Sequence, residues 1–265
     1  IERHKDEPFF LSVGLFEPHV PRVAEPPFAG TSQSGVRGDV IHQVDWQVGE
    51  IMKTLDRLDL AKNTIIIFSS DNGPILFDGY YDRSVEDLNG HQPAGGLRGW
   101  KYLVFEGGCR VPFIVRWPEQ IKPRVSDQMI NLVDCYATLA NIVGQEFPAS
   151  AAPDSLDLSP VVLGKTDKNL RDHTVLHGIG GLALRKGDWK YIPASEGAGG
   201  IGSGANAEDE RFAAATIPEP MLFNLAADPN EEENIMEKHP EQAAELAEEL
   251  AAIKNSPKVP TQPKS

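Results

Sequence analysis

Residues 63–74, Asn-Thr-Ile-Ile-Ile-Phe-Ser-Ser-Asp-Asn-Gly-Pro, decide the fold class of this chain. The run from Ile65 to Phe68 contains no polar residue, which is typical of a strand buried on both faces in a helix-covered parallel sheet. Ligands bind beyond the carboxyl ends of the strands in such sheets, and Asp71 and Asn72 lie at that place. A carboxylate and a carboxamide suit a hard cation such as Ca²⁺ or Mg²⁺, so they predict a metal site. From these residues alone a plain turn is an equal alternative, since Asn-Gly is a strong hairpin signal.

The segments around this strand indicate an α/β domain. Apolar residues recur every three or four positions across residues 39–58, which predicts an amphipathic helix that covers the sheet. Residues 9–15 and 111–117 are apolar runs that predict two further strands. Helix, buried strand and polar loop in succession are typical of α/β domains. Residues 1–145 are therefore predicted to form the α/β part, with a mostly parallel sheet.

Residues 146–265 have a different pattern and are predicted to form a C-terminal α+β subdomain. Residues 181–192 predict a hairpin that turns at 186–188, and residues 221–225 predict another strand of an antiparallel sheet. A terminal helix is predicted to begin at Pro240, since proline is favoured in the first turn. The acidic run 231–233 is interpreted as a solvated turn or helix start.

A glycine-rich segment in this second part resembles a nucleotide-binding pattern, with Gly197, Gly199 and Gly202 in Gly-x-Gly-x-x-Gly spacing. A dinucleotide fingerprint requires a following helix within a βαβ unit, whereas residues 203–211 are polar and acidic. We therefore interpret the segment as a surface loop.

Composition excludes several classes of partner. The chain has 265 residues and a net charge of −14, which argues against nucleic acid or an anionic membrane as the main partner. An anionic substrate stays possible, because a local basic site with a bound metal overrides net charge. No apolar run approaches the ~20 residues needed to cross a bilayer, so no membrane span is predicted. Cys109 and Cys135 form neither a metal-ligand spacing nor a disulfide framework.

Two polar segments carry candidate functional residues. His19 lies between Pro18 and Pro21 at the end of the first predicted strand, and the prolines restrict the backbone that presents its imidazole. A long irregular segment, residues 78–108, contains His91, Arg98 and Lys101. A loop of this length inside a compact domain is usually functional or disordered, and its Trp and Phe residues argue against disorder. Without further information, we would interpret Arg98 and Lys101 as ordinary loop cations.

The motifs of this chain resemble those of the arylsulfatase family, within the alkaline phosphatase superfamily. Five stretches carry the resemblance in the family's order: Pro-His-Val-Pro at 18–21, residues 45–58, Ser-Asp-Asn-Gly at 70–73, Leu-Arg-Gly-Trp-Lys at 97–101 and Glu-Gly-Gly-Cys-Arg-Val-Pro-Phe-Ile-Val-Arg-Trp-Pro at 106–118. Residues 184–192 and 222–234 resemble the family's C-terminal sheet and the loop that follows it. The resemblance thus covers nearly the whole chain.

The resemblance implies a sulfuric ester hydrolase with a bound divalent cation, usually Ca²⁺. Asp71 and Asn72 match the family's second pair of metal ligands, and Lys101 matches the lysine that binds the sulfate group. An ammonium group and a cation aimed at sulfate oxygens would stabilise the charge that develops in the transition state. Arg98, near Lys101 in the same loop, is implied with it as a pocket residue.

The resemblance also gives roles to two histidines. His19 matches the histidine near the ester oxygen, where it could donate the proton that the leaving alcohol or phenol needs. His91 lies in the same loop as Lys101 and is implied as a second substrate-binding residue. The implied substrate is a sulfated small molecule or saccharide, and the location implied by family analogy is periplasmic or extracellular.

Two family features are missing from this sequence. The family's nucleophile is a formylglycine made from Cys or Ser in a Cys/Ser-x-Pro-x-Arg motif, which neither Cys109 nor Cys135 matches. The Asp-Asp pair that supplies the first metal ligands is also absent. The expectation is a C-terminal portion of a sulfatase, inactive alone, with the formylglycine in a preceding part.

Two alternatives stay open. A hydrolase of phosphate or phosphonate esters in the same superfamily would use the same cationic groups. A non-catalytic remnant would bind sulfated ligands without turnover.

Overall fold

The structure, a computed structural model, describes residues 1–196 and 216–256. The chain forms two compact units, the first made of Ile1–Gly96 and Pro112–Glu119, the second of Leu97–Val111 and Gln120–Ser265. The Gly-x-Gly-x-x-Gly segment, predicted as a surface loop, lies outside the described residues. The predicted domain boundary at 145/146 stays a prediction.

The first unit contains a long helix and a two-stranded sheet. Helix α1 spans Gly35–Arg57, which confirms the helix predicted over 39–58 and starts it four residues earlier. Strand β1 spans Ile66–Ser69 and pairs antiparallel with β2, Phe113–Arg116, so that Ile66 faces Arg116. Short 3-10 turns lie at Glu2–His4, Ala61–Asn63 and Glu86–Leu88.

Two expectations about this sheet need correction. The parallel part is not confirmed, because the two strands that form run antiparallel. The strand predicted at 9–15 is wrong, since this segment forms no strand and Phe10 is 84% exposed. A strand persists only where neighbouring backbone groups accept its hydrogen bonds, and none of the described residues pairs with this segment.

The second unit is built on a four-stranded antiparallel sheet in the order β3-β4-β5-β6. The predicted hairpin is confirmed, with β4 at Gly181–Lys186 and β5 at Trp189–Ile192, and the third predicted strand is β6 at Met221–Asn224. Strand β3, His173–Gly178, was not predicted. The helices are α2 at Glu106–Cys109, α3 at Asp134–Ile142, α4 at Ser159–Val162 and α5 at Pro240–Asn255, with 3-10 turns at Ala149–Ala151 and Met236–Lys238.

The two faces of this sheet are covered by different parts of the chain. Helix α5 places Ala243, Leu246 and Leu250, at helical spacing, against one face. The other face packs against Leu103, Val104 and Phe105, which are 3–6% exposed. The segment that contains Lys101 is therefore attached to the C-terminal sheet, a grouping that sequence patterns did not predict. Within residues 1–196 and 216–256, none of the helices has the length and apolar character required to cross a bilayer.

Candidate functional site

His19 lies in a turn that fixes the orientation of its ring. Its backbone N–H donates to the carbonyl of Phe16 at 3.1 Å, and Nδ1 lies 2.8 Å from the carbonyl oxygen of Val20. A carbonyl only accepts, so Nδ1 carries the proton in that bond. Nε2 is 3.5 Å from a carboxylate oxygen of Asp78, whose side chain is 7% exposed, whereas the His19 side chain is 52% exposed. A protonated ring can therefore deliver its proton from Nε2.

Asp78 was not singled out from the sequence. It lies in the irregular segment after β1, and nothing local distinguishes it from the neighbouring acidic residues. His19 and Asp78 are 59 positions apart in the sequence, and the fold brings them into contact. A carboxylate beside an imidazole restricts the orientation of the ring, so Asp78 belongs to the candidate site.

Asp71 and Asn72 directly follow β1, as predicted. The Asn72 amide donates to Asp71 Oδ1 at 2.6 Å, and the Ser70 hydroxyl donates to the Asn72 carbonyl at 3.0 Å. The hairpin alternative is not what forms, because β1 pairs with the distant β2 rather than with residues after Gly73. The pair is at least partly accessible and brings three side-chain oxygens, two from Asp71 and one from Asn72, of the chemistry that Ca²⁺ prefers.

The same pair supplies only part of a metal shell, because Ca²⁺ takes about six to eight oxygen ligands. Across the part of the chain that the structure describes, no group of three His, Cys, Asp or Glu side chains could hold a metal ion. Asp71 and Asn72 fit such an ion by donor chemistry, as two members of a larger ligand set. Their role as metal ligands stays a prediction.

His91 is exposed in the first unit, and its backbone N–H donates to the carbonyl of Leu88 at 2.9 Å. The loop cations Arg98 and Lys101 belong to the second unit. The Arg98 guanidinium stacks 4.0 Å from the centre of the Phe105 ring and donates to the carbonyl of Glu231 at 2.8 Å. Arg98 thus attaches its loop to Glu231 within the second unit.

Lys101 is half-buried, and its ammonium lies 5.2 Å from the centre of the Tyr102 ring. Tyr102 has a φ of 85°, an uncommon value for a side chain of this size. Its carbonyl accepts a hydrogen bond from the Ile179 N–H at 2.9 Å, in the turn between β3 and β4. Strained backbone of this kind persists only where surrounding contacts determine it, and it is concentrated at functional sites.

Glycine is required at position 107, in the Gly107-Gly108 pair after this loop, for a steric reason. A Cβ on Gly107 would lie 2.5 Å from the carbonyl oxygen of Gly99 and 2.6 Å from that of Arg98, too close for any side chain. The Gly107 N–H instead donates to the Arg98 carbonyl at 2.7 Å. The loop therefore closes tightly around the start of α2.

A buried group of three charges lies directly behind this loop. Lys190 is fully buried, and its ammonium is 3.0 Å from Glu106 and 2.9 Å from Glu231. Glu231 also accepts the Glu106 backbone N–H at 2.6 Å, which caps α2 from a distant part of the chain. Arg185 lies 3.4 Å from the Glu106 carboxylate.

This cluster corrects one expectation. Glu231 was interpreted as part of a solvated acidic run, yet it is 0% exposed and has a φ of 58°. Burial raises the pKa of Glu231 above its ordinary value, although Lys190 opposes the shift. A run of acidic residues in a sequence usually indicates solvent exposure. Burial of Glu231 is possible because the fold places Lys190 beside it.

Burial also raises the pKa of Cys109, as it does that of Glu231. Burial raises the pKa of its thiol to about 11, so that it is protonated near neutral pH. A buried, protonated thiol is a poor nucleophile. This agrees with its lack of a formylglycine-type motif.

Known proteins are similar to this chain over nearly its whole length. A family model described as Sulfatase matches residues 1–145. A curated relative from Bacteroides thetaiotaomicron, named N-acetylgalactosamine-6-O-sulfatase, is 47% identical over 255 residues, which cover 96% of this chain and 48% of the relative. Human arylsulfatase A is 30% identical over 88% of this chain and 45% of its own length.

A solved structure, described under the metabolism of multiple glycosaminoglycans by Bacteroides thetaiotaomicron, has a TM-score of 0.88 and 44% identity. The match covers 96% of this chain and 52% of that one. The chain spans about half the length of the curated relatives it matches.

Proposed function

This chain belongs to the sulfatase family, and we propose that it forms the C-terminal portion of a sulfatase that hydrolyses a sulfate ester of an amino sugar. The observation that carries the proposal is the 47% identity to an N-acetylgalactosamine-6-O-sulfatase across 96% of the chain. The 6-O-sulfate of an N-acetylgalactosamine residue in a saccharide is therefore the proposed substrate. The family resemblance favours a periplasmic or extracellular location.

The proposed chemistry assigns one role to each candidate residue. His19 donates a proton from Nε2 to the leaving alcohol oxygen, and Asp78 keeps the ring oriented. Lys101 binds the sulfate group and stabilises the negative charge that develops on its oxygens. Arg98 and His91 are proposed to contact the saccharide.

The family's divalent cation, which Asp71 and Asn72 would help to hold, polarises the sulfate oxygens when it is bound. The nucleophile is proposed to be a formylglycine in the part of the protein that precedes this chain. Within this chain, neither Cys109 nor Cys135 lies in the Cys-x-Pro-x-Arg motif from which a formylglycine is made.

The test is to extend the reading frame upstream of the codon for Ile1 and to assay the complete product. We expect an Asp-Asp pair and a Cys/Ser-x-Pro-x-Arg segment upstream, and release of sulfate from 6-O-sulfated N-acetylgalactosamine. The hydrolysis rate of the sulfated sugar is compared with the rates for N-acetylgalactosamine 6-phosphate and a phosphonate monoester at the same concentration.

Other outcomes of this test overturn the proposal in distinct ways. Preferential hydrolysis of the phosphate or phosphonate would assign the protein to the other reaction of the superfamily. Binding of the sulfated sugar without turnover, with no nucleophile motif upstream, would establish a non-catalytic remnant.

A further inference from the structure

The Arg22 side chain makes an unusually complete set of hydrogen bonds. It is 2% exposed, and each of its three nitrogens donates. Nε bonds to the carbonyl of Pro18 at 2.8 Å, and Nη2 to the carbonyl of Ile75 at 2.8 Å. Nη1 bonds to three acceptors: the Leu76 carbonyl at 3.0 Å, Asp82 Oδ2 at 2.8 Å and Ser84 Oγ at 2.9 Å.

The acceptors lie on both sides of the contact between His19 and Asp78. Pro18 directly precedes His19, whereas Ile75 and Leu76 lie three and two residues before Asp78. One guanidinium therefore joins the histidine turn to the loop 75–84, across separations of up to 62 residues.

The charge of Arg22 is compensated inside the same group. Burial by itself would raise the pKa of Asp82, but the hydrogen bonds from Ser84 and Arg22 outweigh burial and hold that pKa below its ordinary value. Asp82 is therefore ionised and pairs with the guanidinium. A planar guanidinium reaches five acceptors in fixed directions, which the single ammonium of a lysine does not reproduce.

We propose that Arg22 is a positioning residue for His19: by fixing the histidine turn and the Asp78 loop together, it holds Nε2 where a proton passes to the leaving oxygen. The inference rests on the proposed function, because it requires His19 to be the proton donor. Arg22 itself does not touch the substrate in this role.

The experiment separates positioning from folding by the choice of leaving group. A sugar alcohol is a poor leaving group that needs the proton from His19, whereas 4-nitrophenolate leaves without one. In the complete enzyme, we expect Arg22→Lys to lower kcat for the 6-O-sulfated sugar about 10²-fold, and to lower kcat for 4-nitrophenyl sulfate only about threefold. A mere loss of folded enzyme would lower both rates by the same factor.

Arg171 provides the matched control. It is also a buried arginine, it binds Asp134 at 2.8 Å and 2.5 Å, and it donates to the carbonyls of Asp154 and His173. Arg171→Lys should lower the melting temperature but leave the ratio of the two kcat values unchanged. An unchanged ratio in Arg22→Lys as well would overturn the proposal.

Amide hydrogen exchange in the complete protein gives a readout that does not need activity. In Arg22→Lys, the amides of His19 and Ser84, bonded to Phe16 and Asp82, should lose protection together, while those of β4 and β5 keep it. Loss of protection in only one of the two segments contradicts the positioning role. If the wild-type enzyme cleaves neither sulfate ester, the proposed function fails, and the exchange data still decide whether Arg22 joins the two segments.

Discussion

The two units hold their candidate residues in place by different physical means. In the first unit, one buried arginine binds backbone carbonyls on both sides of the His19–Asp78 contact. In the second, the loop of Lys101 continues into a buried apolar cluster, and a fully buried lysine with two carboxylates lies behind it. Both apolar clusters found among the described residues belong to the second unit.

The geometry of the candidate residues and the free energy of unfolding therefore depend on different interactions in the two units. Directional hydrogen bonds to carbonyls fix geometry but contribute only about 0.5–1.5 kcal/mol each. Removing a buried apolar side chain or one partner of a buried ion pair lowers the free energy of unfolding by more, because it leaves a cavity or an unpaired ion. Loss of single hydrogen bonds to carbonyls in the first unit should therefore alter catalysis more than folding, and loss of a buried charge behind the Lys101 loop should do the reverse.

The largest expected effect on stability is in the buried cluster of the second unit. Lys190→Met leaves Glu106 and Glu231 buried without their shared cation, which should lower the free energy of unfolding by about 3–5 kcal/mol. Urea unfolding measures this loss. Adding Glu106→Gln and Glu231→Gln to Lys190→Met should recover much of it, since no buried charge is then uncompensated.

Lys186 is the matched control for this prediction. Its ammonium binds Glu249 at 2.6 Å, but its side chain is 36% exposed. Lys186→Met should lower the free energy of unfolding far less than Lys190→Met does, because water screens an exposed pair. Equal losses in Lys186→Met and Lys190→Met would contradict the importance given to burial.

Lys101→Ala should separate function from stability within the second unit. If the ammonium binds the sulfate group, kcat/KM of the complete enzyme for the sulfate ester should fall about 10²–10³-fold. The urea midpoint should change little, because Lys101 lies outside the apolar cluster formed by the residues after it. Lys62→Ala, on an exposed turn of the first unit, is the control. Wild-type turnover in Lys101→Ala would contradict the role proposed for Lys101.

The smallest effect is a contrast in pH dependence between the units. Burial raises the pKa of Glu231, so the native state binds that proton more tightly than the unfolded chain does. The stability advantage of wild type over Glu231→Gln should therefore fall as pH rises from the ordinary Glu value of about 4.3 through the raised one. A shift of one pKa unit corresponds to about 1.4 kcal/mol.

Asp82 should behave in the opposite way. Although burial opposes it, hydrogen bonding lowers the pKa of Asp82, so its stabilising contribution is present above the ordinary Asp value of about 3.9 and is lost as pH falls through the lowered one. The advantage of wild type over Asp82→Asn should therefore grow as pH rises. Urea unfolding between about pH 2 and pH 7 measures both differences, and slopes of the same sign would refute the contrast between the two carboxylates.

Several features of this protein could be predicted from local patterns of residues. Helical spacing predicted α1 and α5, alternation and turn residues predicted the hairpin of β4 and β5, and ordered motifs predicted the family. The candidate residues Asp71, Asn72, His19 and Lys101 came from the same motifs. These predictions needed only neighbours within a few residues, because periodicity and turn chemistry act over that distance.

Features that join distant parts of the chain could not be predicted in this way, because they depend on tertiary contacts. Arg22 binds Ile75 from 53 residues away, Arg98 binds Glu231 from 133 residues away, and Lys190 makes burial of Glu231 possible. The same holds for the segment 9–15, whose apolar run predicted a strand but which finds no partner strand among the described residues. Burial, pairing and the orientation of His19 depend on which surfaces meet, and no local pattern of residues contains that information.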